Sequence, residues 1–419
     1  MRQSQLFTKT RKELPADEVA KNARLLLQAG YIYKNMAGVY SFLPLGLQVI
    51  ERINQIIREE MDAIGGQELH LPSLQEPRLW EASDRWDEEK VDVWFKTELA
   101  SGGTLGLAWT HEEVITDIMR HYVASYKDLP LFAYQIQTKF RNEIRAKSGI
   151  MRTREFWMKD LYSFCATEAQ HTEFYEACAA AYERIFARTG IGYCTYRTFA
   201  SGGAFTKFSH EFQTLAEAGE DTVYVNLDKH IAVNEEVLEE ADLAELGVSR
   251  ETLERRKSIE VGNIFSLGTK FSEAIGLSFK DESGVSQPVI MGSYGIGPAR
   301  LMGTVVDVLA DDRGIVWPES IAPYQLHLVA LNTDDPEIRD WAEGIYQALI
   351  RRNIRVLFDD RDLRAGEKFA DSDLLGMPYR VVASKRGKYA ATFEVVARAT
   401  GETVELSEQA LFDRFGAAS

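Results

Sequence analysis

The feature that most constrains this chain is a polar alternation. From Leu131 the residues repeat with period two: Phe132, Tyr134, Ile136, Thr138, Phe140, Asn142 and Ile144 fall on one side. Gln135, Gln137, Lys139, Arg141, Glu143 and Arg145 fall on the other. An extended strand sorts side chains in this way, because successive Cβ atoms point to opposite faces. After the turn signal "AKSG" the alternation resumes from Met151 and groups Arg152, Arg154, Phe156, Met158 and Asp160. The spacing predicts an antiparallel β-hairpin with one long-armed, polar face. Seven Lys/Arg against three Asp/Glu lie between Lys139 and Phe164, in a chain of 419 residues whose net charge is −16. Arginine forks grip carboxylate or phosphate bidentately, and Phe156 adds a flat stacking surface among them. The same face also reads as a solvated ladder of cross-strand ion pairs. The pattern alone leaves both readings open.

Other elements surround the hairpin. In "LGLQVIERINQIIREEMDAIGG", Ile50, Ile53, Ile57, Met61 and Ile64 step by three and four, which predicts a helix ended by Gly65-Gly66. A strand "QELHLP" with Leu69 and Leu71 then stops at Pro72. This helix and strand read as core, or as a dimer element. A helix from Thr167 to Arg188 opens with a capping-box pattern at Thr167 and Gln170 and closes at Gly190. It places Cys178 on one face with Phe174, Ala181 and Ile185, as a core thiol. The run "GSYGIGPAR" (Gly292–Arg300) sits in a strand–turn–helix from Pro288 to Leu309. Its spacing is neither a P-loop nor a dinucleotide fingerprint. Its glycines are a packing turn or a place where backbone approaches a ligand, with Arg300 in the first helical turn.

Glu217–Glu260 holds 13 Asp/Glu against 5 Lys/Arg and is expected to be a small, mostly helical, solvated insertion. A linker is expected through "RGIVWPESIAPYQ". Beyond it, strands at Leu326–Leu331, Arg355–Asp360 and Tyr379–Ser384 alternate with helices, which predicts a compact α/β domain. No apolar run is long enough to span a membrane. Cys165, Cys178 and Cys194 form no CxxC pair and suit a reducing compartment. The N-terminal segment has no apolar leader core, so a cytoplasmic protein is expected. An anionic partner must meet local basic patches, because the net field repels it.

The quoted stretches are similar to those of a known family. "FRNE" (Phe140–Glu143) followed by "REF" (Arg154–Phe156) resembles motif 2 of the class II aminoacyl-tRNA synthetases. "GSYGIGPAR" is similar to motif 3, and the Ile50–Pro72 helix and strand to motif 1. "WTHEEVITD", "SHEFQTLAEAGED" and "EVGNIFSLGTKFSE" narrow the resemblance to bacterial-type prolyl-tRNA synthetases, and "VLFDDRDLRAGEKFADSDLLGMPYRVV" resembles their anticodon-binding domain. The implied fold class is α+β: an antiparallel-sheet catalytic domain with flanking helices over 1–320, then an α/β anticodon-binding domain over 321–419. Motifs 1, 2 and 3 fall at about 40–75, 134–164 and 289–310, and the acidic insertion at about 222–262.

The resemblance implies a proline–tRNA ligase that forms prolyl-adenylate from L-proline and ATP, then transfers proline to the 3′ end of tRNA(Pro). Arg141 would bridge the α-phosphate and the proline carboxylate, and with Arg300 would carry the catalysis. Glu143 and Phe156 would receive adenine, with Arg300 over its other face, and Arg152 would reach the γ-phosphate. Thr110, Glu112, His210 and Ser293 would line the proline pocket, Ser293 standing where several family members have cysteine. Mg²⁺ would accompany ATP, with no fixed protein metal site. Arg145 would meet the tRNA acceptor end. Residues 351–388, with ten Lys/Arg and six Asp/Glu, would meet the anticodon through Arg361 and Lys368. The family also implies a homodimer through motif 1.

One departure is informative. Bacterial relatives of the long form carry a large editing domain between motifs 2 and 3, whereas here only Thr222 to Pro288 separates them. Editing of alanyl-tRNA in cis is therefore not expected, and would fall to a separate protein in trans. Two rival readings remain: a synthetase-like binding subunit without chemistry, and a threonine- or serine-specific relative.

Overall fold

The computed structural model describes all of the chain except residues 12–17, 145–147, 202–207, 240–242, 244–245 and 417–419. The Ile50 periodicity forms helix α1 (Pro44–Ala63), with Ile50, Ile53, Ile57 and Met61 buried. A two-residue strand follows, β1 (Gln67–Glu68). The expected strand is cut short there because side chains replace backbone as its partner. Gln135 accepts from the Leu71 amide at 3.0 Å, and Gln137 donates to the Leu71 carbonyl at 2.7 Å. Helix α2 (Glu112–Met119) precedes the hairpin of β2 (Leu131–Phe140) and β3 (Glu155–Cys165). The hairpin register sets Gln135 opposite Asp160 and Phe140 opposite Glu155.

Helix α3 (Glu168–Arg188) is capped by Thr167, whose hydroxyl accepts from the Gln170 amide at 3.2 Å. Five strands come next: β4 (Thr195–Ser201), β5 (Phe208–Leu215), β6 (Asp221–Asn226), β7 (Ile231–Asn234) and β8 (Glu254–Gly268). Strand β9 (Ile290–Ile296) turns into helix α4 (Pro298–Leu309). Among the described residues, β1 to β9 form one nine-stranded sheet in the order β5-β4-β7-β6-β8-β9-β3-β2-β1, with β5 also paired to β8. Its pairs are antiparallel except β1–β2 and β4–β7.

Strand register fixes which side chains share a face. Tyr134, Leu161, Tyr294, Ile264 and His210 form one row across five strands. That row meets α3, where the Tyr294 ring lies 5.4 Å from Phe174 and 6.1 Å from Tyr175. The neighbouring row, Gln135, Asp160, Gly295, Asn263 and Glu211, faces the opposite way. Between β5 and β8 the register slips after Phe212, leaving Val261 as an extra residue. Such a bulge re-aims its neighbour, and here it brings Glu260 to the side of Asn263. On the α3 side Cys178 is buried, and burial pushes its thiol up to about 12, so it behaves as a small apolar core residue.

The acidic segment is not mostly helical. Its described residues are largely the strands β6 and β7 and the start of β8, with short 3₁₀ turns. Val223, Val225 and Ala232 pack with Tyr196 as a small core. The abundant acids on exposed turns mask that alternation in the sequence.

By their contacts, residues 36–39 and 53–304 make one compact unit, and 1–35, 40–52 and 305–419 make the other. The second unit carries a five-stranded sheet of β10 (Leu326–Ala330), β11 (Val356–Asp359), β12 (Tyr379–Ala383), β13 (Thr392–Ala397) and β14 (Thr403–Ser407). Its order is β11-β10-β12-β13-β14; β10 runs parallel to β11 and β12, and the rest are antiparallel. Helix α5 (Pro336–Arg351) covers it, with Ala342, Ile345 and Leu349 in the core, and helix α6 (Ala365–Leu375) precedes Gly376.

The stretch expected as a linker is instead clasped to this unit. Ile315, Trp317 and Ile321 are buried, and Arg398 grips Asp311 with two bonds of 2.7 and 2.6 Å. Gly376 ends α6 at φ +75°, and a Cβ there would stand 2.3 Å from the Ile315 carbonyl oxygen. The left-handed conformation and this close approach both demand glycine. Replacing it with alanine, Gly376→Ala, should cost at least about 2 kcal/mol. Urea unfolding of the full chain checks this, and an unchanged midpoint would contradict the clasp.

Candidate active site

A cleft opens where β3, β8 and β9 meet, and Arg141, Glu143, Arg152, Phe156 and Arg300 all line it. Residues distant in sequence are thus brought together as expected. Gly295 makes part of the wall, and a methyl group there would stand 2.9 Å from Asn263 Oδ1. Asn263 in turn donates to Glu260 at 2.8 Å.

The guanidiniums differ in how they are held. Arg300 donates to the Met151 carbonyl at 3.0 Å and to Glu260, through the carbonyl at 3.1 Å and the carboxylate at 3.0 Å. Arg154 donates to the carbonyls of Glu143 and Ala37, at 3.1 and 2.8 Å, so it braces the loop rather than facing the cleft. Arg152 is exposed and lies 3.5 Å from Glu143 and 3.4 Å from Glu220. Arg141 makes no ion pair among the described residues. Its Nε reaches only the Trp109 carbonyl, at 3.4 Å, and its guanidinium carbon lies 5.3 Å from the Phe156 ring centre. Burial, then the charge of Arg300, makes its protonated form costlier than in water. Glu260, Glu143 and Glu112 oppose that cost only from a distance, and a half-buried cation with no carboxylate in contact is primed for an anion.

Beside Arg141, the first turn of α2 forms a second, buried subsite. Glu112 accepts from Thr110 at 2.7 Å, from Arg85 at 3.3 Å and from Ser293 at 3.3 Å. Arg85 lies 4.3 Å from the Trp109 ring centre and 5.3 Å from that of Trp80, which buries its charge against flat apolar surfaces. Below this subsite the polar face of the hairpin is also buried. Lys139 is fully buried, 2.7 Å from both Asp160 and His111. Gln135 and the Tyr162 hydroxyl each donate to Asp160 at 2.9 Å. Against the cost of burial, Lys139 and His111 hold the Asp160 carboxyl below its usual value. The solvated-ladder reading of this face therefore fails at Lys139 and Asp160. Trp157, on the other face of β3, is only half-buried.

Several expected residues lie elsewhere. His210 is in the row that meets α3, opposite to the row of Asp160 and Gly295, and its Nδ1 lies 2.8 Å from the Tyr175 hydroxyl. Burial, then Arg197, pushes it down to about 4, so it stays neutral and is not a pocket residue. Strand parity decides this, and parity needs the register. Arg145 lies outside the described residues. In the second unit Lys368 is buried, with its ammonium 2.6 Å from the Ala330 carbonyl, so it is an internal strut and not a surface contact. Arg361 is tied to Asp359 at 2.7 Å and to Asp371 at 2.9 Å and is likewise committed within the fold. The sequence reading missed Arg85, Glu260 and Asn263, whose partners lie far along the chain. The "EVGN" stretch was the only signal for the last two.

Comparison with known proteins matches these features. The family "tRNA synthetase class II core domain (G, H, P, S and T)" matches residues 95–309, and "Anticodon binding domain" matches residues 325–417. A proline--tRNA ligase of Maricaulis maris is 38% identical over 98% of this chain and 97% of its own length. Another, from Bacillus cereus, is 32% identical over 98% of each chain, across 561 aligned positions, and is therefore interrupted by extra sequence relative to these 419 residues. A crystal structure of a prolyl-tRNA synthetase from Cryptosporidium parvum, complexed with L-proline and AMP, shares the fold. Its TM-score is 0.74 at 17% identity, covering 94% of this chain and 75% of that one.

The buried floor of the site yields a direct expectation. Asp160→Asn leaves the Lys139 ammonium buried without its counter-charge and should cost about 3–5 kcal/mol. Denaturant unfolding measures this, and a loss below about 1 kcal/mol would place the pair in water-like surroundings.

Proposed function

The chain belongs to the class II tRNA synthetases, in the proline–tRNA ligase family, and on that premise we propose how its residues share the work. It joins proline to tRNA at the expense of ATP. Adenylate formation is an in-line displacement at phosphorus, so it needs positioning and charge neutralisation more than side-chain acid or base. The observation that carries the assignment is Arg141: an unpaired guanidinium between the nucleotide cleft and the Glu112 subsite.

Arg141 binds the α-phosphate and the proline carboxylate together and stabilises the negative charge that develops as they join. Adenine lies between Phe156 and Arg300, which contributes stacking and cation–π energy of about 1–2 kcal/mol. Glu143 accepts from the adenine amino group, and Arg152, exposed and only loosely paired, turns to the γ-phosphate. The secondary ammonium of proline meets Glu112 and Thr110, with Ser293 bonded to the far oxygen of Glu112. A buried cation requires such a partner.

Among the described residues, no group of three or more His, Cys, Asp or Glu side chains is placed to cage a metal ion. Mg²⁺ would arrive on the triphosphate and neutralise phosphate charge there, and Glu260 on the cleft wall is the carboxylate that would help hold it. Residues 1–320 carry the chemistry and 321–419 the anticodon contacts, with Arg145 toward the acceptor end. Through α1 the enzyme pairs as a homodimer. No described helix is long and apolar enough to cross a membrane, and three free thiols suit the reducing cytoplasm.

Proline-dependent ATP–pyrophosphate exchange, run against threonine, serine and alanine, tests the assignment. Proline should be preferred over alanine by only about 10–200-fold, because a pocket excludes a smaller side chain weakly. The purified enzyme should not hydrolyse alanyl-tRNA(Pro) above background, since the span between β6 and β9 has no room for an editing domain. Absence of exchange with all four amino acids would overturn the catalytic reading, and rapid hydrolysis the second claim.

A further inference from the structure

One carboxyl beside the proline subsite has no part in the reaction as described. Glu113 follows Glu112 on α2 and is fully buried. One of its oxygens accepts from the Ser83 hydroxyl at 2.6 Å and from Arg85 at 3.0 Å. Its other oxygen is buried and has no hydrogen-bond partner. The same Arg85 nitrogen also serves Glu112, so one cation is shared by two carboxyls.

The ionisable groups packed around this point can be counted among the described residues. Arg85 and Lys139 are buried cations; Glu112, Glu113 and Asp160 are buried carboxyls. His111 is neutral, pushed down to about 3 by burial and then by Lys139, and Tyr162 keeps its proton because of burial and Asp160. Trp80, Trp109 and Phe271, which surround Arg85, bring no charge. Arg141, on the cleft side, acts on Glu112 and Lys139 through its charge but bonds neither, and the substrate's own carboxylate matches it. Among the described residues Arg85 is the cation that bonds both Glu112 and Glu113, and one shared guanidinium does not neutralise two carboxylates in a water-poor site, so one of the two keeps a proton. Asp160 has two hydrogen-bond donors on one oxygen and the Lys139 ion pair on the other, and Glu112 has three donors spread over both of its oxygens. Glu113, with one oxygen unserved, is the one that stays protonated.

We propose that Glu113 is a proton reservoir of the proline subsite, protonated while the subsite is empty and ionised when the substrate's ammonium docks against Glu112. The Glu113 O–H bond breaks and its proton passes to the solvent buffer; the arriving ammonium supplies the second cation of the glutamate pair. This rests on the assignment of Glu112 to the proline ammonium. Burial pushes the Glu113 carboxyl up to about 7, Arg85 opposing and Glu112 adding to the rise, so the exchange falls in the working range of pH.

The sign follows by linkage. Above pH 7 Glu113 is already ionised in the empty enzyme, and proline binds at full strength. As pH falls through 7, binding must first expel a proton and weakens, levelling off below the lowered pKa of the occupied state. Each unit by which docking lowers that pKa is a tenfold change in affinity.

The test is KM for L-proline in ATP–pyrophosphate exchange between pH 6 and 8.5, with KM for ATP as the internal control. The wild type should show proline KM rising about fivefold by pH 6, for a one-unit drop, with ATP KM steady. Glu113→Gln, a fixed neutral mimic, should hold proline KM at the weak level throughout, and so match the wild type only at acid pH. Glu112→Gln should weaken proline at every pH. If Glu112→Gln weakens proline but Glu113→Gln keeps the wild-type slope, the reservoir is wrong and the Glu112 assignment stands. If Glu112→Gln leaves proline KM unchanged, both fail. Calorimetry needs no variant: wild-type enzyme titrated with L-proline at pH 6.5, in two buffers of different ionisation heat, should release a substantial fraction of a proton. No release would overturn the proposal.

Discussion

A guanidinium with no carboxylate in contact is the constraint on which the site depends. Leaving Arg141 half-buried and unpaired costs stability, and the fold accepts that cost by committing its neighbours elsewhere. Arg154 is bound to backbone carbonyls, Arg300 to Glu260, Lys139 to Asp160 and Arg85 to the two glutamates. Each of these contacts removes a carboxylate or a carbonyl that could have quenched Arg141. Three arginines against two glutamates line the cleft, a local positive excess in a molecule whose net charge is −16. A local field of this kind is what an acidic protein needs to hold an anion.

The sheet provides the rigidity that such an arrangement requires. Its inner strands, β8, β9, β3 and β2, are hydrogen-bonded on both edges, so their side chains stand at fixed spacing. Buried glutamines extend the same order beyond the strands: Gln135 and Gln137 hold the segment around Leu71 as strand partners would. His111, clamped between the Pro72 carbonyl at 3.0 Å and Lys139 at 2.7 Å, then fixes the entry to α2, and with it Thr110 and Glu112. The cleft and the Glu112 pocket thus share one foundation, the polar face of a single hairpin.

Much of this was legible in the sequence, for a local reason. The hairpin and its polar face follow from period-two alternation, which depends on neighbours only; two residues of the turn signal, 146 and 147, lie outside the described residues, and the strands stop at Phe140 and resume at Glu155. The glycine run and Arg300 were legible as a strand–turn–helix. What failed depends on register or on distant partners. Lys139 and Asp160 look like surface charges until the strands cover them. His210 sits on the wrong side for a pocket because parity across β5, β8 and β9 cannot be counted without knowing the pairing. Lys368 reads as a basic surface residue, yet its stem and ammonium are enclosed beneath β10. The valines of β6 were hidden among glutamates, and Arg85 carries no local signal, since its partner Glu112 is 27 residues away.

The central claim is that Arg141 is kept unpaired for the reaction and contributes nothing to holding the unliganded fold. Arg141→Ala examined in parallel for unfolding without ligand and for single-turnover prolyl-adenylate formation tests it most directly. The variant should unfold at the same denaturant concentration as the wild type, or a higher one, while adenylate formation falls by a factor of at least about a hundred, the scale of losing one charge-stabilising group. A variant that is markedly less stable yet still forms adenylate at near the wild-type rate would contradict the account.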